Sequence, residues 1–318
     1  MLFRRLYHER LAQAAYLIAC QSSGDAIIVD PLNDPDFYLA VARQEGVHVT
    51  MVTETHLHAD FVSGAAALAS AAGAELLLSG AGPGTAGYRR SAFPRARWLA
   101  DGDMIELGRL RLDVLHVPGH TPEHIAFVLT DRATTDVPIG LLSGDFLFVG
   151  DVGRPDLLER AVGVTGSMNE AARQLYASLQ RLAPLPDHLQ IWPGHGAGSA
   201  CGKSLGAVPQ STLGYERMTN WALQLQSEAE FETGVLEGQP EPPAYFARMK
   251  RINAAGAPSS AKRDDLTGPE LLGALERGAL AVDVRPAAAF AQGHRVGAIS
   301  VPLGKSFLTW AGSVIPPE

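Results

Sequence analysis

Short apolar runs alternate with polar turns through the first eighty residues. Residues 15–20 and 26–29 flank Ser22-Ser23-Gly24-Asp25, which predicts a β-hairpin with a polar turn. The apolar run 47–52 reads as a strand leading toward Thr55, and the Ala-rich stretch 63–72 as a helix packed close behind it. Residues 75–78 read as the next strand. Asp101-Gly102-Asp103 and Leu107-Gly108-Arg109 are turn signals around short strands. Further strands are expected at 112–117, 125–129 and 139–142. Ala171, Leu175, Leu179 and Leu182 fall near helical spacing, so 169–182 is expected to be an amphipathic helix. Gln190-Ile191-Trp192 reads as a short strand running into His195. Residues 219–230 and 244–253 read as helices on either side of a Pro/Gly-rich crossing at 237–243.

The pattern then restarts. A stretch of small residues at 254–261 suggests a linker, followed by a helix at 267–277, a buried strand at 280–284 and a helix at 287–292. The expected organisation is a catalytic α/β domain over 1–255, a linker over 256–264 and a short α/β segment over 265–318. The 318 residues are 46% hydrophobic and 19% charged, which implies a sizeable packed core. A net charge of −8 with no basic run argues against nucleic acid as a partner. No apolar run reaches the ~18–20 residues of a membrane span, so no membrane partner is expected. Leu17-Ile18-Ala19-Cys20 looks like a lipoprotein cleavage site, but His8, Glu9, Arg10 and Gln13 break the apolar segment such a signal needs. A cytoplasmic location is the expectation. Two cysteines, Cys20 and Cys201, make neither a disulfide framework nor a cysteine-based zinc site.

The chemistry lies in four pieces. Thr55-His56-Leu57-His58-Ala59-Asp60-Phe61 follows one predicted strand, and Pro118-Gly119-His120, Ser143-Gly144-Asp145 and Pro193-Gly194-His195 follow others. Neutral imidazoles and carboxylates bind first-row divalent metals. In an extended loop, alternate side chains share a face, so His56, His58 and Asp60 can converge. The glycines beside His120, Asp145 and His195 let the backbone approach closely. His8, His48, His116, His188 and His294 read as surface or packing residues, and His124, just after a ligand turn, as a supporting residue or a cap.

This order of motifs resembles the metallo-β-lactamase superfold, over roughly residues 1–255. The resemblance implies an αββα sandwich with the metal site between two sheets. Dinuclear hydrolases of that superfamily carry a further histidine right after the aspartate of the first loop; here Phe61 stands there and cannot ligate. The second metal position then keeps only Asp60, Asp145 and His195 as candidates. The first loop, Gly144-Asp145-Phe146-Leu147-Phe148 and Asp151-Val152-Gly153-Arg154-Pro155-Asp156-Leu157 look like persulfide dioxygenases. Bacterial forms fused to rhodanese domains are also similar around Gly194-His195-Gly196-Ala197-Gly198-Ser199-Ala200-Cys201-Gly202-Lys203 and at the Pro242-Pro243 segment that ends in Met249-Lys250-Arg251-Ile252-Asn253. Asp283-Val284-Arg285, Gly293-His294 and the stretch 297–302 resemble the opening half of a rhodanese domain. That tail lacks the sulfur-carrying cysteine, since no cysteine follows Cys201.

The resemblance implies a mononuclear site of His56, His120 and Asp145. Two histidines and one carboxylate are the facial triad of non-haem Fe(II) oxygenases, although a zinc ion with bound water fits the same donors. The implied reaction takes a low-molecular-weight thiol persulfide, O2 and water to thiol and sulfite, with one Fe(II) per chain. His58, Asp60 and His195 would orient ligands and carry hydrogen bonds. Arg154 and Lys203 are weak candidates for holding the substrate's anionic group; for Arg154 a structural salt bridge with Asp151 or Asp156 is the favoured reading. Cys201, expected on a loop near the mouth, is a candidate thiol relay. A dimer or tetramer is expected. Two rivals remain: a glyoxalase II-like zinc thioester hydrolase, and a non-catalytic sulfur-carrier or partner-binding scaffold.

Overall fold

The computed structural model describes residues 1–82, 87–257 and 265–315. The chain divides into two units: Met1–Pro242 with Phe246–Ser259, and Pro243–Tyr245 with Ser260–Glu318. The expected linker, 256–264, falls from residue 258 onward outside the described residues.

The first unit holds two six-stranded sheets. One runs in sequence order through β1 (Leu2–His8), β2 (Gln13–Ala19), β3 (Asp25–Val29), β4 (His48–Thr53), β5 (Glu75–Ser79) and β6 (Arg97–Leu99). The other runs in reverse order from β12 (Ser211–Thr212) through β11 (Gln190–Pro193), β10 (Gly140–Gly144), β9 (Ile125–Asp131) and β8 (Leu110–His116) to β7 (Met104–Leu107). The hairpin expected around Ser22-Ser23-Gly24-Asp25 is there: β2 and β3 pair antiparallel.

Period-two alternation explains the layers. On β2, Ala14, Tyr16 and Ile18 face one cluster, while Ala15, Leu17 and Ala19 face another. On β9, Ile125, Phe127 and Leu129 join the first of these clusters, so it is the core between the sheets. The outer face of the first sheet packs on Tyr38 and Ala42 of α1 (Pro35–Gln44) and on Ala65 and Leu68 of α2 (Ala65–Ala72). Past the short α3 (Leu157–Arg160), the outer face of the second sheet meets Leu175 and Leu179 of α4 (Ser167–Gln180). Each large apolar side chain fully buried here contributes roughly 1.5–3 kcal/mol.

The helices depart from the pattern reading in two places. Helix α1 escaped the pattern reading, yet its start is written in Asp34-Pro35: the Asp34 carboxylate accepts from the Phe37 amide at 3.3 Å, and proline takes the first turn. The single helix expected at 219–230 is instead the end of α5 (Leu213–Thr219), then α6 (Trp221–Gln224) and α7 (Glu228–Leu236). Asn220 is extended at φ −77°, ψ 118° and its side chain caps α6, and Ser227 caps α7. Two capping side chains thus outcompete helix continuation. The helix expected at 244–253 is α8 (Phe246–Ala254).

The second unit holds α9 (Gly268–Glu276), β13 (Val282–Asp283), α10 (Ala287–Gln292), β14 (Ile299–Ser300) and α11 (Phe307–Val314), with β13 and β14 parallel. The strand expected to be buried at 280–284 is not: Leu280 is 44% and Val284 42% exposed. Its ladder is two residues long and has one partner strand, too small a sheet to bury a face.

Candidate metal centre

The site side chains leave from strand ends. His56 follows β4, His120 follows β8, Asp145 follows β10 and His195 follows β11. The β10 register shifts between Leu142 and Gly144, a bulge that re-aims the chain just before Asp145. Gly144 sits at φ +52°, and a Cβ there would meet Thr55 Oγ1 at 2.5 Å. A Cβ on Gly194 would meet Asp145 Oδ1 at 2.6 Å, so only glycine lets the β11 loop close on the carboxylate. Backbone bonds sew the two sheets together at this end. The Ile125 amide donates to the Thr55 carbonyl at 2.8 Å, and the Ala14 amide to the Gly194 carbonyl at 2.8 Å.

One ligand atom each from His56, His120 and Asp145 lies within 4.8 Å of the others, and all three residues are buried. Asp145 Oδ2 is 3.7 Å from His56 Nε2, 3.5 Å from His120 Nε2 and 3.5 Å from His195 Nε2. Hydrogen bonds fix which ring nitrogen is free. His120 Nδ1 lies 2.9 Å from the Arg154 carbonyl and His195 Nδ1 3.2 Å from the Ala12 carbonyl. A carbonyl only accepts, so both rings carry their proton on Nδ1. Thr55 Oγ1 gives its own hydrogen to Asp30 Oδ2 at 2.9 Å, so it accepts from His56 Nδ1 at 2.9 Å. All three rings therefore aim an Nε2 lone pair at Asp145.

His56 Nε2 and both Asp145 carboxylate oxygens are buried without a partner in the protein. Such orphans are costly unless something else satisfies them, and a divalent cation fits a set of two imidazoles and one carboxylate. In the protein's own field, burial pushes the Asp145 carboxyl up to about 6, partly offset by His195. Burial, and then neighbouring cations including Lys250, hold His56 and His120 well below the usual imidazole range. A bound cation favours the carboxylate and the neutral imidazoles.

A family model described as the metallo-beta-lactamase superfamily matches residues 8–195. The chain belongs to the metallo-beta-lactamase superfamily. It is 38% identical over 182 residues to a hydroxyacylglutathione hydrolase of Polaromonas sp., a match covering 57% of this chain and 60% of the relative. It is 28% identical over 232 residues to the mitochondrial persulfide dioxygenase ETHE1 of Bos taurus, covering 72% of this chain and 78% of the relative. The crystal structure of a metallo-beta-lactamase from Staphylococcus aureus is 45% identical, with a TM-score of 0.91, and covers 99% of this chain and 89% of that one. The chain thus spans only about three fifths of the hydrolase's length, and it carries the superfamily's metal-binding His/Asp site.

Within this metallo-beta-lactamase site the other expected residues divide. Asp60 and His195 lie beside the first three: His195 Nε2 is 3.4 Å from Asp60 Oδ2. His58 turns elsewhere, with Nε2 on Asp30 Oδ1 at 3.1 Å. Burial opposes protonation of His58, but Asp30, Glu54 and Asp60 outweigh it and raise the ring to about 9. Phe61 packs its ring 4.3 Å from that of His58. Cys201 is 1% exposed rather than at an open mouth, and burial, then Asp60 and Asp145, push its thiol well above the ordinary value.

The substrate-holding roles expected of Arg154 and Lys203 do not match their surroundings. Arg154 is fully buried, and its guanidinium is spent on Asp156 at 2.7 and 2.8 Å and on the Ala200 and Pro240 carbonyls. Its service to the site is through its backbone, which orients His120. The Lys203 ammonium donates to the Gly234 and Glu237 carbonyls and covers the Trp221 ring.

Further residues support the site. His124 Nε2 accepts from the Asp145 amide at 3.0 Å, a role left open at the sequence level. Glu123 Oε1 accepts from the Leu57 amide at 2.8 Å. Asn253 on α8 clamps the first loop, donating to the His58 and Phe61 carbonyls at 2.8 Å and accepting from the Ser63 amide at 2.9 Å. Lys250, one turn earlier on that helix, is 7% exposed. Both sit in the Met-Lys-Arg-Ile-Asn segment, the one signal that pointed to them.

Proposed function

We propose that the chain is a persulfide dioxygenase. It converts a low-molecular-weight thiol persulfide, O2 and water to thiol and sulfite at a single Fe(II). The observation that carries this reading is the three-donor face of His56, His120 and Asp145, together with an aromatic hydrocarbon at position 61. A facial set of two imidazoles and a carboxylate leaves open positions for both substrates, and Fe(II) bound there supplies the capacity to activate O2. The chain's own residues set the stage. Thr55 and the Arg154 carbonyl hold the two rings in the ligating tautomer, and His124 fixes the backbone of Asp145. The likeness to a persulfide dioxygenase over 72% of the chain supports the same reading. The second unit is read as rhodanese-like, on its resemblance to the opening half of such a domain.

A second reading has a specific observation behind it: the 38% identity to a hydroxyacylglutathione hydrolase favours zinc-assisted thioester hydrolysis. Anaerobic purification, metal analysis and oxygen uptake separate the two. About one iron per chain, with O2 consumed and sulfite formed from a thiol persulfide, is the expected result. Two zinc ions per chain and no oxygen uptake would put the hydrolase in its place.

A further inference from the structure

One buried cation has no part in the proposed reaction. On α8 the buried residues are Phe246, Lys250, Asn253 and Ala254, a single stripe at helical spacing. A lysine thus stands where an apolar side chain is expected, and it is 7% exposed. The stripe packs on the first loop. Ala254 shares a cluster with Leu57, and the Asn253 side chain donates to the His58 and Phe61 carbonyls. His56 of the metal-ligand set belongs to that same loop.

The two cations expected to meet the substrate are spent, Arg154 on Asp156 and Lys203 on the Gly234 and Glu237 carbonyls. Lys250 is not. Among the described residues its ammonium makes no hydrogen bond and no ion pair. Glu123 and Cys201 lie within range of its charge, but Glu123 Oε1 is taken by the Leu57 amide. The field of the ammonium reaches the rings of His56 and His120. An ammonium removed from water without a counter-charge is costly, so an anion would complete it.

The metal-ligand set asks for the same thing. Asp145 is its single carboxylate, and Asp60, the other one nearby, faces His195 at 3.4 Å. A divalent cation held by two neutral imidazoles and one carboxylate keeps a net positive charge. Fixed positive charge from the ion and from Lys250 favours an anionic ligand over a neutral one. A deprotonated persulfide, R–S–S−, is such a ligand. A thioester carbonyl is not.

We propose that the Lys250 ammonium holds the anionic end of the substrate, so that the site selects a ligand that binds as an anion, here the deprotonated persulfide. The choice of a persulfide rests on the dioxygenase reading; the preference for an anion does not.

The test titrates the full chain, purified anaerobically with its metal, by calorimetry with two small probes. Azide is an anion, and imidazole at about pH 8 is a neutral donor; both compete for an open metal position. Lys250→Met keeps the length of the side chain and removes its charge. It should weaken azide binding by at least roughly tenfold and leave imidazole binding within about twofold. Lys250→Arg should restore most of the azide affinity. The KM for glutathione persulfide should rise in Lys250→Met by a factor similar to that for azide. Should Lys250→Met not fold, Lys250→Gln carries the same comparison. Equal losses for azide and imidazole mean a structural role and overturn the inference. So does an azide affinity that the substitution leaves unchanged, or a wild type that binds imidazole and not azide. An azide-specific loss in a protein that takes up no oxygen keeps the anion site and sinks the dioxygenase; oxygen uptake with azide affinity untouched does the reverse.

Discussion

The two sides of the first loop carry the same residue type and opposite electrostatics. On one side His56 faces His120 and Asp145, and burial among other cations holds its ring well below the usual range. On the other side His58 faces Asp30 and Glu54, and its ring is raised to about 9. The rings are 4.2 Å apart, centroid to centroid. One carboxylate serves both sides: Asp30 accepts from Thr55, which in turn orients His56, and Asp30 also meets His58 Nε2. The lesson is that a His-x-His motif is not two equal ligands. The hydrogen-bond partner on the far nitrogen decides which ring offers a lone pair to a metal and which one holds a proton.

Removing the shared acceptor on the metal side should break this contrast most severely. Asp145→Ala takes away the carboxylate that, alone among the described residues, reaches both His56 Nε2 and His120 Nε2. Iron retention after desalting is expected to fall by more than the roughly 10–100-fold that loss of a mere orienting partner costs, and oxygen uptake should vanish with it. A variant that keeps full iron would mean that the ion sits elsewhere.

The metal-side residues were readable because each is tied to a local signal: a histidine or aspartate beside a glycine at the end of an apolar run. The layers were readable for a similar reason, since β2 and β9 alternate strictly between two cores. The proton-holding side was not readable. Asp30 reaches the loop from 25 positions away and Glu54 stands next to it, and nothing in their own neighbourhoods marks either; Asn253 acts from 195 positions away, with only its Met-Lys-Arg-Ile-Asn segment to point to it. Asp30 even adopts φ +53°, a conformation that sequence patterns assign to glycine or asparagine first. Arg154 is the opposite case: its partner Asp156 stands two residues on in the same motif, and the salt bridge favoured for it over an anion-holding role takes both guanidinium branches in the folded chain.

A subtler cut goes through the link between the two sides. Thr55→Val keeps the shape but removes the hydroxyl that accepts from His56 Nδ1 and donates to Asp30 Oδ2. His56 then loses the partner that fixes its tautomer. Iron affinity, measured by competition with a chelator, is expected to drop roughly 10–100-fold. Thr55→Ser should restore most of it. Equal affinity in all three proteins would show that the ring needs no such support.

The smallest expected effect lies on the His58 side and is one of stability against pH. Glu54 is 3% exposed and accepts from the Tyr88 hydroxyl at 3.0 Å, and burial above all raises its carboxyl from 4.5 to about 7. A carboxyl with a raised folded-state pKa binds its proton more tightly in the folded chain than in the unfolded one. The unfolded chain therefore ionises first as pH rises, and stability drains away from about pH 4.5 until the folded carboxyl ionises near pH 7. Above that the penalty is constant, with an upper size of about 3 kcal/mol. Glu54→Gln, which cannot ionise, escapes it. Denaturant titrations of wild type and variant at about pH 5 and about pH 8 should show the variant gaining on the wild type at the higher pH. If the gap between them does not widen, Glu54 is already ionised at neutral pH. An ionised Glu54 then joins Asp30 and Asp60 in holding the His58 proton, and the contrast between the two sides is sharper at neutral pH, not weaker.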